Sequence, residues 1–252
     1  MSRPLTPAEA LLWSYGITQA DQIDLDAIAC DQHAMVRYRP LEGCEARLVA
    51  GSESAVISVN NAGGVSPGRQ RFSLAHELAH WLCDRRSGSF LCAKTDIGPQ
   101  NAEAKSVEAH ANGYASQLIL PTYLVDPWLT GRPASLEVAR ALSRDFRSSV
   151  TAAAIKLIKR TPHVAFVAAH ARGRLIWHQR SSSVPTEFYV LPELHQDTDG
   201  FTLAFGGTAA DRSRREPASR WVAGPNVSRM EAVSHSFRLA EGTVLSVVAV
   251  AK

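Results

Sequence analysis

The chain has 252 residues, of which 45% are hydrophobic and 20% are charged, so it can bury one large core or two modest ones. Its net charge of +3 is too small to indicate nucleic-acid binding by itself. The sequence contains no apolar run long enough to cross a bilayer, and its first 16 residues lack the pattern of a secretory signal. We therefore expect a cytoplasmic protein that does not contact a membrane. The four cysteines form no Cys-x-x-Cys pair, which argues against a structural zinc knuckle or a disulfide scaffold.

The region before residue 60 predicts one short helix and three short strands. The helix covers residues 23–29, and alternating apolar residues predict strands at 34–39, 46–49 and 55–59. We expect these strands to form a small antiparallel sheet. An edge strand of such a sheet can pair with an extended peptide, so Ser58 and Asn60 are candidates for a substrate cleft. The alternative is that both residues belong to a strand end followed by an Asn-Asn turn.

The segment from His76 to His80 reads HELAH and lies in a strongly apolar stretch. Ser66 and Pro67 supply a typical helix start, with a hydroxyl N-cap before a proline. On a helix, residues four apart lie about 40° apart around the axis and roughly 6 Å along it, so His76 and His80 can bind one metal ion. Glu77 lies beside such an ion, where a carboxylate can take a proton from water.

A catalytic metal site needs a third protein ligand, and a second predicted helix at 101–120 offers candidates. Glu108 and Asn112 are four residues apart and share a face, so Glu108 can bind the metal while Asn112 orients a ligand histidine. His110 is the competing ligand, but it points about 200° around the helix from Glu108. Pro121 ends the helix.

Together these residues resemble the ImmA/IrrE family of metallopeptidases. The hallmark of that family is an Arg-Phe pair leading into the metal helix, then a glutamate, an Ala-Asn pair, an aromatic residue with alanine, and a Leu-rich run ending in proline. The corresponding elements here are Arg71-Phe72, the segment 73–80, Glu108, Ala111-Asn112, Tyr114-Ala115 and the run 118–121. The resemblance covers the first half of the chain well and the second half loosely.

The resemblance implies that His76, His80 and Glu108 bind the metal and that Glu77 is the general base. It favours Glu108 over His110 as the third ligand. It also implies an HExxH endopeptidase of the gluzincin type that cleaves a helix-turn-helix (XRE-like) repressor and thereby regulates transcription, as in a stress response. Two imidazoles and a carboxylate suit zinc first, with manganese and iron as alternatives. The rival interpretations are a DNA-binding transcriptional regulator and a non-catalytic protein that binds a repressor.

Residues 135–160 predict two amphipathic helices around Ser148-Ser149, an outline similar to a helix-turn-helix. One interpretation is docking of DNA or of a repressor, and the other is a helical brace whose exposed face is basic. We favour the brace, because no side chain that would read a base can be identified.

After residue 162 the sequence becomes rich in β-strand patterns. Strands are predicted at 164–169, 174–178, 201–205, 234–239 and 243–250, with a hairpin turn at Arg172-Gly173. The histidines His178, His195 and His235 are isolated and predict surface or packing roles. We expect an α+β protein with a metallopeptidase domain at 1–131, a helical connector at 132–162 and a β-rich domain at 163–252. The family resemblance implies a zincin-like fold for the first domain and a GAF-like sensory role for the last.

Overall fold

The structure is a computed structural model that describes residues 3–84, 102–239 and 242–251. The chain divides into two compact units, Met1–Trp128 with Arg144–Ser149 and Leu129–Ser143 with Val150–Lys252. This division differs from the expected three segments, because most of the helical connector groups with the C-terminal sheet. Within the described ranges, no helix is both long enough and apolar enough to cross a membrane.

The first unit combines a small sheet with helices on either side of it in the sequence. Helix α1 begins with a capping box, in which the Thr6 hydroxyl accepts from Glu9 N–H and the Glu9 carboxylate accepts from Thr6 N–H. The elements are α1 (Pro7–Ser14), α2 (Leu25–Asp31), β1 (Ala34–Arg39), β2 (Ala46–Ala50), β3 (Ala55–Asn60), α3 (Pro67–Asp84), α4 (Ala102–Ile119) and α5 (Thr122–Leu129).

The three predicted strands form one sheet, in the order β1-β3-β2. Strands β2 and β3 are antiparallel, as expected, but β1 runs parallel to β3, so the prediction of a purely antiparallel sheet is wrong. The chain after β1 crosses the end of β3 before it returns as β2. The Asn60 side chain holds this crossing, since its amide bonds the backbone of Leu41 and Cys44. β3 is therefore the central strand, and β2 forms an edge of the sheet.

Helix α3 begins at Pro67, as the sequence predicts, and packs against α4, β2 and β3. Its apolar face is fully buried, and the Trp81 indole N–H donates to Gln32 O at 2.7 Å. A Cβ at Gly68 would lie 2.7 Å from the backbone of Ser148 and Ser149, so the first turn of α3 needs a glycine there. These contacts fix the position of the HELAH segment.

The second unit contains two helices followed by an antiparallel sheet. Its elements are α6 (Leu136–Asp145), α7 (Val150–Arg160), β4 (Ala165–Ala171), β5 (Arg174–Arg180), β6 (Tyr189–Val190), α8 (Asp199–Ala204), β7 (Arg214–Pro217), β8 (Val222–Ala223), β9 (Glu231–Arg238) and β10 (Thr243–Ala251). Five strands form a sheet in the order β5-β4-β10-β9-β7, and β6 pairs with β8. Helix α7 packs against β4 and β5. The predicted hairpin turn is present, with Arg172 and Gly173 both at positive φ.

One predicted strand of this unit is wrong. Residues 201–205 belong to α8 and its C-cap, where the Thr198 hydroxyl accepts from Phe201 N–H as the N-cap. The alternation of Phe201, Leu203 and Phe205 resembles a strand pattern. In the structure, however, Phe201 and Phe205 are one helical turn apart, with ring centroids 4.5 Å from each other.

Candidate metal centre

The two histidines of the HELAH segment face each other on α3. The Nε2 atoms of His76 and His80 are 3.1 Å apart. On the other side of the His76 ring, Nδ1 lies 3.1 Å from Asn112 Oδ1 on α4. An amide oxygen can only accept, so Nδ1 carries the proton and Nε2 of His76 presents a lone pair. This is the tautomer that a metal-binding imidazole requires.

Glu108, also on α4, completes a group of three side chains that could bind one metal ion. Its carboxylate oxygens lie 3.3 Å from His76 Nε2 and 3.5 Å from His80 Nε2. Four-coordinate zinc with bonds of 2.0–2.1 Å separates neighbouring ligand atoms by about 3.3 Å. The observed spacings match that value. Within the described residues, His76, His80 and Glu108 are the group of histidine, cysteine and acidic side chains whose ligand atoms could hold a metal ion.

Glu77 lies next to this group and is buried, with 6% of its surface exposed. Its Oε2 has no hydrogen-bond partner among the described residues, while the backbone N–H of Leu48 on β2 bonds the carboxylate. Burial raises the pKa of Glu77 to about 7, with the nearby Glu108 carboxylate adding to the increase. A carboxylate with this pKa can both accept and release a proton near neutral pH.

The chemistry of the donor set fits a divalent ion. Burial, together with the neighbouring His80 ring, lowers the pKa of His76 and so keeps its imidazole in the neutral form that binds metal. A divalent ion at such a site acts as a Lewis acid on water and on a carbonyl oxygen. The orphaned Oε2 of Glu77 would receive the proton that this activation releases.

The structure brings together the predicted residues His76, Glu77, His80, Glu108 and Asn112. The competing ligand candidate His110 is exposed and lies outside the group of three.

The two residues suggested for a cleft have other roles. Ser58 is buried on the central strand, and Asn60 holds the loop between β1 and β2. The backbone of Leu48 was not identified from the sequence. The signal that could have indicated the Leu48 backbone is the predicted strand that precedes the HELAH helix in the sequence, because this order can place the edge of a strand beside Glu77.

The comparisons with known proteins assign the family. The sequence model of a peptidase family, Peptidase M78 (IrrE N-terminal-like domain), matches residues 30–157, which is more than half of the chain. The chain therefore belongs to the ImmA/IrrE peptidase family, whose metallopeptidase character implies a divalent metal. The match extends through α6 and most of α7. Among curated proteins, no sequence matches this chain.

A solved structure described as a Mycobacterium tuberculosis transcriptional regulator has a similar fold, with a TM-score of 0.59 and 13% sequence identity. The similarity covers 96% of this chain and 86% of that one. At this identity the likeness concerns the fold alone.

Proposed function

We propose that the protein is a metal-dependent endopeptidase of the zincin-like, gluzincin type, with zinc as the first choice of metal. The observation that carries this proposal is the convergence of three ligand atoms within 4.8 Å of one another beside a buried carboxylate oxygen without a partner. A structural metal site does not need such a carboxylate, whereas hydrolysis does. Manganese and iron remain alternatives, because the same ligand set accepts them.

The residues divide the work as follows. His76, His80 and Glu108 hold the ion, and Asn112 orients the His76 ring through Nδ1. Glu77 accepts a proton from the attacking water at Oε2 and delivers it to the leaving amine. The Leu48 N–H holds the Glu77 carboxylate in place for both transfers.

The open edge of β2 is the proposed docking place of the substrate. A strand edge offers backbone donors and acceptors to an extended peptide, and β2 is the edge that contacts Glu77. Family membership supports a helix-turn-helix (XRE-like) repressor as the substrate. Cleavage of such a repressor in the cytoplasm would relieve the repression of the genes that it controls, as in a stress response.

The basic helices of the second unit supply the runner-up function, which is DNA binding. Two of the basic side chains on these helices are engaged or buried within the same unit, which favours the interpretation as a helical brace over DNA binding. Arg140 bonds Asp211 at 2.8 Å and lies 5.4 Å from the centroid of the Phe237 ring, and Lys156 is buried. We propose that the antiparallel sheet of this unit has a GAF-like sensory role.

The test compares metal-loaded wild type with Glu77→Gln, using the helix-turn-helix repressor encoded nearest the gene and following its mass. We expect discrete fragments with wild type and none with Glu77→Gln, although both bind one equivalent of metal. The amide is nearly isosteric but cannot take the proton. His110→Ala is the matched control, because it alters an exposed residue two positions from Glu108 and should leave cleavage unchanged. Equal cleavage by Glu77→Gln, or an intact repressor with metal-loaded wild type, would exclude the proposed mechanism.

A further inference from the structure

The backbone of β2 presents alternate residues to its open edge. Asn60 N–H donates to Glu45 O, and Gly51 N–H donates to Ser54 O, each at 2.8 Å, so the odd-numbered residues from 45 to 51 pair with β3. The backbone groups of Ala46, Leu48 and Ala50 therefore point away from the sheet, and the bond from Leu48 N–H to Glu77 agrees with this geometry. A peptide that adds to this edge pairs with the backbone groups of Ala46 and Ala50 and with the carbonyl of Leu48, since the Leu48 N–H bonds Glu77.

The side chains of β2 follow the opposite alternation. Ala46 and Leu48 are buried on the face that packs against α3, whereas Arg47 and Val49 are exposed on the other face, Val49 by 58%. A peptide residue directly opposite Arg47 or Val49 would form a non-hydrogen-bonded pair, in which the Cα atoms approach to about 4.5 Å. Side chains on the outer face of such a peptide would therefore contact Arg47 and Val49.

Arg47 is a cation with no ion pair or hydrogen bond to its side chain in the described part of the chain. The nearest acidic residue along the strand, Glu45, bonds Arg69 Nε at 2.9 Å and Ser73 Oγ at 3.1 Å. Across the sheet, the register places Arg47 beside Ser58 and then Arg37, a second exposed arginine on the same face. Arg47 is thus the cation at the open edge, and Arg37 is its counterpart on the far strand.

We propose that Arg47 determines substrate specificity by selecting an acidic side chain on the outer face of the bound peptide, a proposal that rests on the peptidase function above. The peptide runs antiparallel to β2, since antiparallel pairing is the slightly more stable arrangement. Its residue opposite Val49 then comes first and is apolar, the next residue faces α3, and the residue opposite Arg47 is Asp or Glu. The preferred substrate segment reads apolar, any residue, acidic.

The size of the preference follows from the exposure of Arg47. Exposed ion pairs contribute modestly, and their usual range corresponds to about a two- to fivefold preference for an acidic residue. Reversing the charge of residue 47 reverses the sign of this preference. The ratio of acidic to basic residues at that position should therefore change about tenfold.

The experiment uses a library of randomised decapeptides and three metal-loaded proteins, namely wild type, Arg47→Glu and Arg37→Glu. The two variants make the same charge change on the same face, but only Arg47 lies at the β2 edge. Cut sites are read by mass spectrometry. In parallel, Glu77→Gln is combined with wild-type β1 and β2, with Arg47→Glu and with Arg37→Glu, and the peptides that these three proteins capture are sequenced.

The peptides that wild type cuts should be enriched in the pattern apolar residue, any residue, acidic residue. Arg47→Glu should replace the acidic residue with Lys or Arg, and Arg37→Glu should keep the wild-type pattern. An acidic preference that survives in Arg47→Glu, disappears equally in Arg37→Glu, or is absent from wild type would overturn the assignment. Capture that depends on residue 47 without any cutting would reject the peptidase function and retain Arg47 as a binding determinant. Absence of both cutting and such capture would reject the two proposals together.

Discussion

Two clusters of histidine and carboxylate side chains, one in each unit, differ in what their ring nitrogens face. In the first unit, the Nε2 atoms of His76 and His80 face each other at 3.1 Å. In the second unit, the buried His235 ring faces a carboxylate on each side, with Nδ1 2.8 Å from Glu137 Oε1 and Nε2 2.9 Å from Asp211 Oδ1. Carboxylates accept hydrogen bonds, so both ring nitrogens of His235 are engaged by acceptors within the second unit.

The carboxylates of the two clusters differ in the same sense. The Arg140 guanidinium and the His235 ring hold the pKa of Asp211 below its usual value. Burial alone would raise the pKa of Glu137, but its hydrogen bonds, including that from His235, lower it. Glu77, by contrast, has a raised pKa and an oxygen without a described partner. The second cluster is therefore closed by its own ion pairs, whereas the first directs lone pairs toward one point that a cation can occupy.

The largest effect should come from removing one histidine of each cluster. We expect His80→Ala to lose stoichiometric zinc and all cleavage, because two ligands remain where a catalytic site needs three. His235→Ala should keep one equivalent of zinc, since the His235 ring nitrogens bond Glu137 and Asp211 and none of the three proposed metal ligands. Metal content after gel filtration, measured by inductively coupled plasma mass spectrometry, gives the answer.

Circular dichroism of both variants checks that each remains folded. Zinc retained by folded His80→Ala would remove this residue from the ligand set. Zinc lost from folded His235→Ala would show that the second cluster also holds metal and that the comparison fails.

A third buried histidine, His170 on β4, belongs to neither the proposed metal centre nor the ion-pair cluster. It is 1% exposed, its Nδ1 bonds none of the described residues, and burial lowers its pKa to about 4. The unfolded chain binds a proton near pH 6.5, whereas the folded state resists protonation until about pH 4. The contribution of neutral His170 to the free energy of unfolding is therefore fully present above pH 6.5. It falls by about 3 kcal/mol as the pH drops toward 4. Urea unfolding at pH 7 and pH 4.5 in the presence of a chelator measures this loss.

In His170→Leu, the difference between the two pH values should shrink by most of that amount. His195→Leu is the matched control, because it removes an exposed imidazole from a loop of the same unit and should leave the pH dependence as in wild type. An unchanged pH dependence in His170→Leu would show that other groups cause the loss.

The pairing of the proposed site residues along each helix could be predicted from the sequence, because helical periodicity fixes it, whereas the choice of Glu108 as third ligand rested on the family resemblance. A spacing of four residues places His76 beside His80 and Glu108 beside Asn112, whatever the rest of the chain does. The start of α3 was predictable for the same local reason, since Ser66-Pro67 is a helix-start signal. The strands before α3 were also recognised, because their alternation is a local pattern.

Features that depend on distant contacts were not predictable. The parallel pairing of β1 with β3 follows from the path of the loop that Asn60 holds, and no local pattern encodes that path. His235 looked isolated in the sequence because its partners lie 98 and 24 residues away. Residues 201–205 alternate like a strand, and the Thr198 cap decides for a helix. Spacing in the sequence could thus group histidine and carboxylate residues into a candidate site. It could not show whether such a group forms a metal centre or a closed cluster of ion pairs.

The smallest expected effect tests what orients each ring. Asn112→Ala removes the acceptor for His76 Nδ1–H, and the loss of such a partner typically lowers metal affinity about 10- to 100-fold. Asn112→Asp keeps an acceptor at the same distance and should bind zinc at least as tightly as wild type, since a carboxylate increases the basicity of the ligand ring. Zinc affinity is measured by competition with a chromophoric chelator.

This pair of variants bears directly on the difference between the clusters. An amide oxygen at Nδ1 of His76 leaves Nε2 able to bind a metal, whereas the carboxylates at His235 engage both ring nitrogens. Asn112→Asp therefore introduces one of the two acceptors of the second cluster while leaving Nε2 facing His80. If zinc binding survives in Asn112→Asp, the face that Nε2 presents decides whether a histidine binds metal. If zinc is lost there and kept in Asn112→Ala, the charge behind the ring decides instead, and our account of both clusters would be wrong.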